Sequence, residues 1–184
     1  MRRSEILFLG DCNTCGTEQL SGTTYPQRIS EILDKRIQNC GQTMATTREA
    51  LQYFEHHQHD ALSAVCIQYG LVDSWLTLSA SPYVLYYPDN ARRRLMRRWV
   101  KKWKKYGRKM GVGKLFGRDN QVPLDEYSRN IATIIESVSC PVLLIETAPN
   151  HDDSRNPAIQ AYNGALAELA ENYAHAHLVS CYDE

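Results

Sequence analysis

At 184 residues and 43% hydrophobic, the chain suits one domain that builds its core without disulfides. No apolar run approaches the ~20 residues of a membrane span, and Met1-Arg2-Arg3-Ser4-Glu5 leads into a strand rather than a signal-peptide core, so a cytoplasmic protein is expected. The zero net charge conceals an asymmetry: Arg92 to Arg118 holds 13 of the 21 Lys/Arg and no acid, which leaves the remainder at 8 − 21 = −13.

Ile6-Leu7-Phe8-Leu9, ended by Gly10-Asp11, reads as a buried strand. A helix follows from Pro26 to about Asp34, with Ile29, Ile32 and Leu33 at helical spacing. A weak strand at Arg36-Ile37-Gln38-Asn39 runs into Cys40-Gly41. Thr46-x-x-Glu49 is then a capping box for a helix carrying Leu51 and Phe54. Ala64 to Tyr69 is the third strand, stopped by Gly70, and Pro141 to Ile145 the fourth. Between them lie an aromatic and basic insertion, 82–122, and a helix from Pro123 with Leu124, Tyr127, Ile131, Ile134 and Val138 on one face. A last helix starts at Asn156-Pro157, with Asn156 expected as N-cap, and a final strand covers His177 to Cys181. Strand and helix alternate, which predicts an α/β fold: three αβα layers around a mainly parallel, doubly wound, flavodoxin-like sheet with one basic helical insertion.

Ligands of such sheets bind beyond the carboxyl ends of the strands. That selects the loops Gly10 to Gly16, Cys40 to Thr46, Gly70 to Trp75 and Thr147 to Asn156. Singly, each is also an ordinary turn. Together they resemble the SGNH (GDSL-type) hydrolases. Phe8-Leu9-Gly10-Asp11-Cys12-Asn13-Thr14 is similar to the family's first block, with Cys12 where the nucleophilic serine stands. Asn39-Cys40-Gly41 resembles the second block, whose glycine N–H helps form the oxyanion hole, and Gln68 to Asp73 the third, Gly-x-Asn-Asp, with Val72 in place of the asparagine. Asn156-Pro157 through Tyr162-Asn163 is similar to the start of the family's last helix. Tyr86-Tyr87-Pro88-Asp89 with the basic insertion looks most like a bacterial branch associated with surface-polysaccharide biosynthesis. The fourth block, Asp-x-x-His, has no counterpart before Tyr182-Asp183-Glu184, so the expectation is either a degenerate copy or a fragment of one domain, 1–184, lacking its C-terminal helix and general base.

The resemblance implies an ester hydrolase or acyl-transfer domain acting on an acylated glycan or other small ester. Cys12, Asp11, Gly41 and Asp73 are then the catalytic candidates, His151 the candidate base, and Gly70, Asn13, Tyr86 and Tyr87 the substrate contacts. Each has a plainer reading. Cys12 is either a nucleophile with a depressed pKa or an inert replacement. Asp11 braces its loop, Asp73 caps the helix that follows it, and His151 is a solvated loop histidine. A non-catalytic glycan- or partner-binding domain is the alternative function, and a Cys12-x-x-Cys15 redox dithiol the second, weakened by the long loop expected between Cys15 and the helix at Pro26. The six cysteines lie among apolar runs and turns, as in a reducing compartment. No metal site or cofactor is implied, no Cys or His pair having matching spacing for zinc. The insertion reads as an amphipathic cationic helix, with Leu95, Trp99, Trp103, Tyr106 and Met110 against Arg and Lys on the remaining circumference. It points to an anionic membrane surface, or to docking on the acidic remainder, rather than to nucleic acid.

Overall fold

A computed structural model describes residues 5–16, 24–56, 62–78, 84, 91–109 and 118–182. The elements in chain order are β1 (Glu5–Gly10), α1 (Cys12–Cys15), α2 (Tyr25–Leu33), β2 (Arg36–Asn39), α3 (Thr47–Glu55), β3 (Leu62–Gln68), β4 (Leu76–Leu78), α4 (Ala91–Lys109), β5 (Arg118–Asn120), α5 (Leu124–Glu136), β6 (Val142–Ile145), a 3-10 turn (Asp153–Arg155), α6 (Asn156–Asn172) and β7 (Ala176–Val179). Five strands form one parallel sheet in the order β2-β1-β3-β6-β7. The expected α/β architecture is present, with all carboxyl ends on one edge.

Alternation along β1 explains how both sheet faces are covered. Leu7 and Leu9 join Val65, Ile67, Val142 and Leu144 in the main core, beneath Ala50 and Phe54 of α3, Tyr127, Ile131, Ile134 and Ile135 of α5, and Leu166 and Leu169 of α6. Ile6, Phe8 and Cys66 face the other way, against Tyr25 and Ile29 of α2. Fully burying a side chain of this size contributes ~1.5–3 kcal/mol, so the apolar run of β1 is a principal stabilising element on both faces.

Local chemistry fixes the helix starts. In α3 the Thr46 N–H and hydroxyl both donate to Glu49 Oε2, at 2.9 and 2.6 Å, while Arg48 N–H donates to Thr46 Oγ1 at 3.3 Å. The expected capping box is formed, and it is buried. Tyr127 and Tyr162 pack edge-on at 4.8 Å beneath the strand ends, and Tyr127 Oη donates to Tyr69 O at 2.8 Å.

Several expectations need correction. The buried face of α5 is Tyr127, Asn130, Ile131, Ile134 and Ile135; Leu124 is exposed, and Val138 lies past the helix end. Asn156 is the first residue of α6, not its cap; its side-chain Oδ1 points back to accept the Asn150 N–H at 2.8 Å and pins the preceding loop. The final strand is Ala176–Val179 rather than His177 to Cys181. The sequence pattern also gave no sign of the antiparallel pair β4–β5, in which Leu76 faces Asn120 and Leu78 faces Arg118. It closes the neck of the insertion, where Gln121 N–H donates to Trp75 O at 2.7 Å and Val122 N–H to Asp73 O at 3.1 Å. Among the described residues no helix is long and apolar enough to cross a membrane.

Candidate active site

The turn after β1 is built by Asp11. Its backbone is extended and its Oδ1 accepts the Asn13 N–H at 2.9 Å, so it caps α1, and the Cys15 N–H closes on Asp11 O at 3.0 Å. Cys12 and Cys15 therefore begin and end a single helical turn, where the sequence suggested a loop. Gly10 permits this closure. A Cβ there would lie 1.9 Å from Thr14 Oγ1. Buried Thr14 in turn meets Tyr25 Oη at 3.0 Å and donates to Gln68 Oε1 at 3.1 Å, tying the turn to α2 and β3.

Asp11 is buried, Cys12 half-buried and Asn13 exposed. Burial raises the Asp11 carboxyl to about 6, opposed by the Asn13 N–H and the Cys12 side chain. The Cys12 thiol is pushed up as well, first by burial and then by the Asp11 charge. This corrects the expected depression: a single helical turn supplies too small a dipole to offset burial and a neighbouring carboxylate.

Gly41 sits against this turn, and a Cβ there would come within 2.6 Å of Cys15 N. Its N–H, expected in an oxyanion hole, donates to Asn39 Oδ1 at 2.8 Å, and Asn39 Nδ2 donates to Thr14 O at 3.1 Å. Asn39 was absent from the candidate residues, although an Asn two positions before a Gly is an Asx-turn signal that would have found it.

The third loop is a strut rather than an open wall. Asp73 is fully buried, and its Oδ1 accepts both the Thr47 N–H at 2.9 Å and the Thr47 hydroxyl at 2.8 Å. It therefore secures the start of α3, not the segment that follows it. Its Oδ2 has no hydrogen-bond partner among the described residues, and burial raises the carboxyl to about 7, with Asp11 and Glu49 adding to the effect. Val72 is buried too. Gly70, at φ +134°, packs inward, where a Cβ would lie 3.0 Å from Thr147 Oγ1. Thr147 in turn is clamped by Asn163 through bonds of 2.9 and 3.0 Å.

His151 is exposed in the loop after β6, and no hydrogen bond joins it to Cys12 or Asp11 among the described residues. Glu146 holds the chain beyond β7, accepting the Cys181 and Tyr182 N–H groups at 3.0 and 3.2 Å. Tyr86 and Tyr87 lie outside the described residues. No cluster of three metal-ligating side chains occurs among the described residues.

The parallel five-stranded sheet with its flanking helices has counterparts of known structure. The chain superposes on AlinE4, an SGNH-hydrolase family esterase, with a TM-score of 0.60 at 20% identity over 97% of this chain and 76% of that one. The fold is that of the SGNH hydrolases. A G-D-S-L family lipolytic protein from Desulfitobacterium hafniense gives a TM-score of 0.62 at 13% identity, over 95% and 75% of the two chains. An acetylxylan esterase from Geobacillus stearothermophilus gives 0.61 at 17% identity, over 98% and 77%. No protein-family model and no curated protein matches the sequence.

Proposed function

We propose that the chain is an SGNH-type domain directed at carboxylic esters, a hydrolase or acyl-transfer unit for an acylated glycan or other small ester, with Cys12 in the nucleophile's place. The observation that carries this reading is the position of Cys12: the half-exposed first residue of the turn after β1, with buried Asp11 beneath it. Esterases of the same fold, one of them an acetylxylan esterase, support the ester and glycan parts. The likeness of Tyr86-Tyr87-Pro88-Asp89 to the polysaccharide-biosynthesis branch supports the glycan part as well. The scatter of the six cysteines among apolar runs and turns supports a reducing, cytoplasmic location.

In this reading the Cys12 thiolate attacks the acyl carbonyl and expels the alcohol, which takes up a proton; water or an acceptor hydroxyl then cleaves the Cys12 thioester and frees the thiol, and turnover is slow. The thiol holds its proton more tightly than a free cysteine. Val72 supplies no side-chain amide donor, a loss worth ~10²–10³ in rate. Incubation with an aryl acetate followed by mass spectrometry tests the assignment. Acetylation of Cys12, lost in Cys12→Ala, is expected; acetylation confined to other residues refutes it.

A second reading, a glycan- or partner-binding domain without catalysis, is favoured by the Gly41 N–H being held by Asn39. It predicts glycan binding that is indifferent to Cys12→Ala and no acyl-enzyme. The redox reading loses ground, because dithiol catalysts require a lowered thiol pKa and that of Cys12 is raised.

A further inference from the structure

The 19-residue helix α4 has no acid in its first turn and carries Lys or Arg at most of its positions. At 100° per residue, Leu95, Met96, Trp99, Val100 and Tyr106 fall within one arc of about 140°, which Arg92 enters at the helix start, while Arg94, Arg97, Arg98, Lys101 and Lys102 lie outside it. Val100, at one margin of that arc, is 7% exposed, so the helix is seated there. The rest of the arc is open: Leu95 is 56% exposed, Met96 54%, Trp99 71% and Tyr106 62%. Arg94, Arg98 and Lys102 are exposed beside it. A helix kept only for solubility has no reason to present Leu, Met, Trp and Tyr together.

We infer that α4 is an interfacial helix that binds an anionic lipid bilayer, its apolar arc entering the headgroup boundary and its flanking cations meeting lipid phosphates and carboxylates. Charge complementarity and shape select this occupant. An apolar stripe beside cations matches an anionic surface over an apolar interior, and Trp and Tyr are the side chains that settle at that boundary. Nucleic acid would engage the cations and leave Leu95 and Met96 in water. A second copy of the helix would set like charges beside one another along both margins of the contact. The neck β4–β5 roots the insertion at Leu76 and Asn120.

The test is co-sedimentation of the full chain with vesicles of phosphatidylglycerol and phosphatidylcholine, and of phosphatidylcholine alone, at low and high salt. Binding to the anionic vesicles is expected to exceed that to the neutral ones by at least about tenfold and to weaken as salt rises. Leu95→Ala/Trp99→Ala should reduce it by about tenfold or more, with an unchanged circular dichroism spectrum because both side chains are exposed. Arg94→Glu/Arg98→Glu should remove the preference for anionic lipid. Equal partition into both vesicle types would overturn the inference. So would anionic binding that Leu95→Ala/Trp99→Ala leaves intact, since cations alone would then account for it. A dimer in analytical ultracentrifugation that this double variant dissociates would also overturn it, assigning the face to a second copy.

Discussion

Two turns at the carboxyl edge of the sheet each hold a buried carboxylate near a strand-terminal glycine, and they use it in opposite ways. After β1, Asp11 acts locally on an N–H two residues ahead and leaves Cys12 and Asn13 accessible. After β3, Asp73 reaches back 26 residues to Thr47, and Val72, Asp73 and Ser74 are sealed. A local cap leaves room beside itself, whereas a long-range strut consumes the space around it. Chemistry is therefore expected at the first turn, and stability at the second.

The contrast is tested most strongly through the second turn. Burial lifts Asp73 from 3.8 to about 7 and Asp11 to about 6, so each folded-state value lies above the unfolded one and folding retains the proton. The destabilisation is absent below about pH 4, grows as pH rises and is complete above about pH 7, where Asp73 alone accounts for on the order of 4 kcal/mol. Asp73→Asn keeps an oxygen acceptor for Thr47 and cannot ionise. In urea unfolding, its stability relative to the parent should therefore improve between pH 4 and pH 8 by roughly that amount. Parallel pH profiles would show that Asp73 is not the titrating strut.

At the first turn, Gly10→Ala places a methyl carbon 1.9 Å from Thr14 Oγ1, and Thr14 is buried and bonded to both Tyr25 and Gln68. Overpacking of this kind should lower stability by ~2–3 kcal/mol and speed alkylation of Cys12 as the turn opens. Unchanged labelling with full stability would mean that the turn tolerates displacement. The smallest effect is electrostatic. Asp11→Asn keeps the cap but removes the charge that helps to raise the Cys12 thiol, so the pH midpoint of iodoacetamide labelling should move down. A midpoint that stays in place would leave burial as the sole cause.

Much of this architecture was legible because its signals are short-range. The apolar runs of β1, β3 and β6, Pro26 at the start of α2 and the Thr46-Glu49 box each act within a few residues. Four strand-end loops followed directly from the alternation of elements, and three of them carried the resemblance to known blocks. What escaped was non-local. Nothing near Asp73 announces Thr47 as its partner, nothing at Asn39 announces that its Nδ2 reaches back to Thr14 O, and the three-residue strands β4 and β5 are separated by the whole insertion. The direction of the Cys12 shift escaped for the same reason, since desolvation is a property of the packed state.

The short pair β4–β5 also bears on how such a chain acquires new parts. Because Leu78 and Arg118 are cross-strand neighbours, the segment between them enters and leaves the domain at almost the same point. The entropy of closing that loop grows only slowly with its length, so its content is nearly decoupled from the stability of the sheet. The insertion is thus an exchangeable cassette. Its length and charge can change while the strand-end turns keep their geometry.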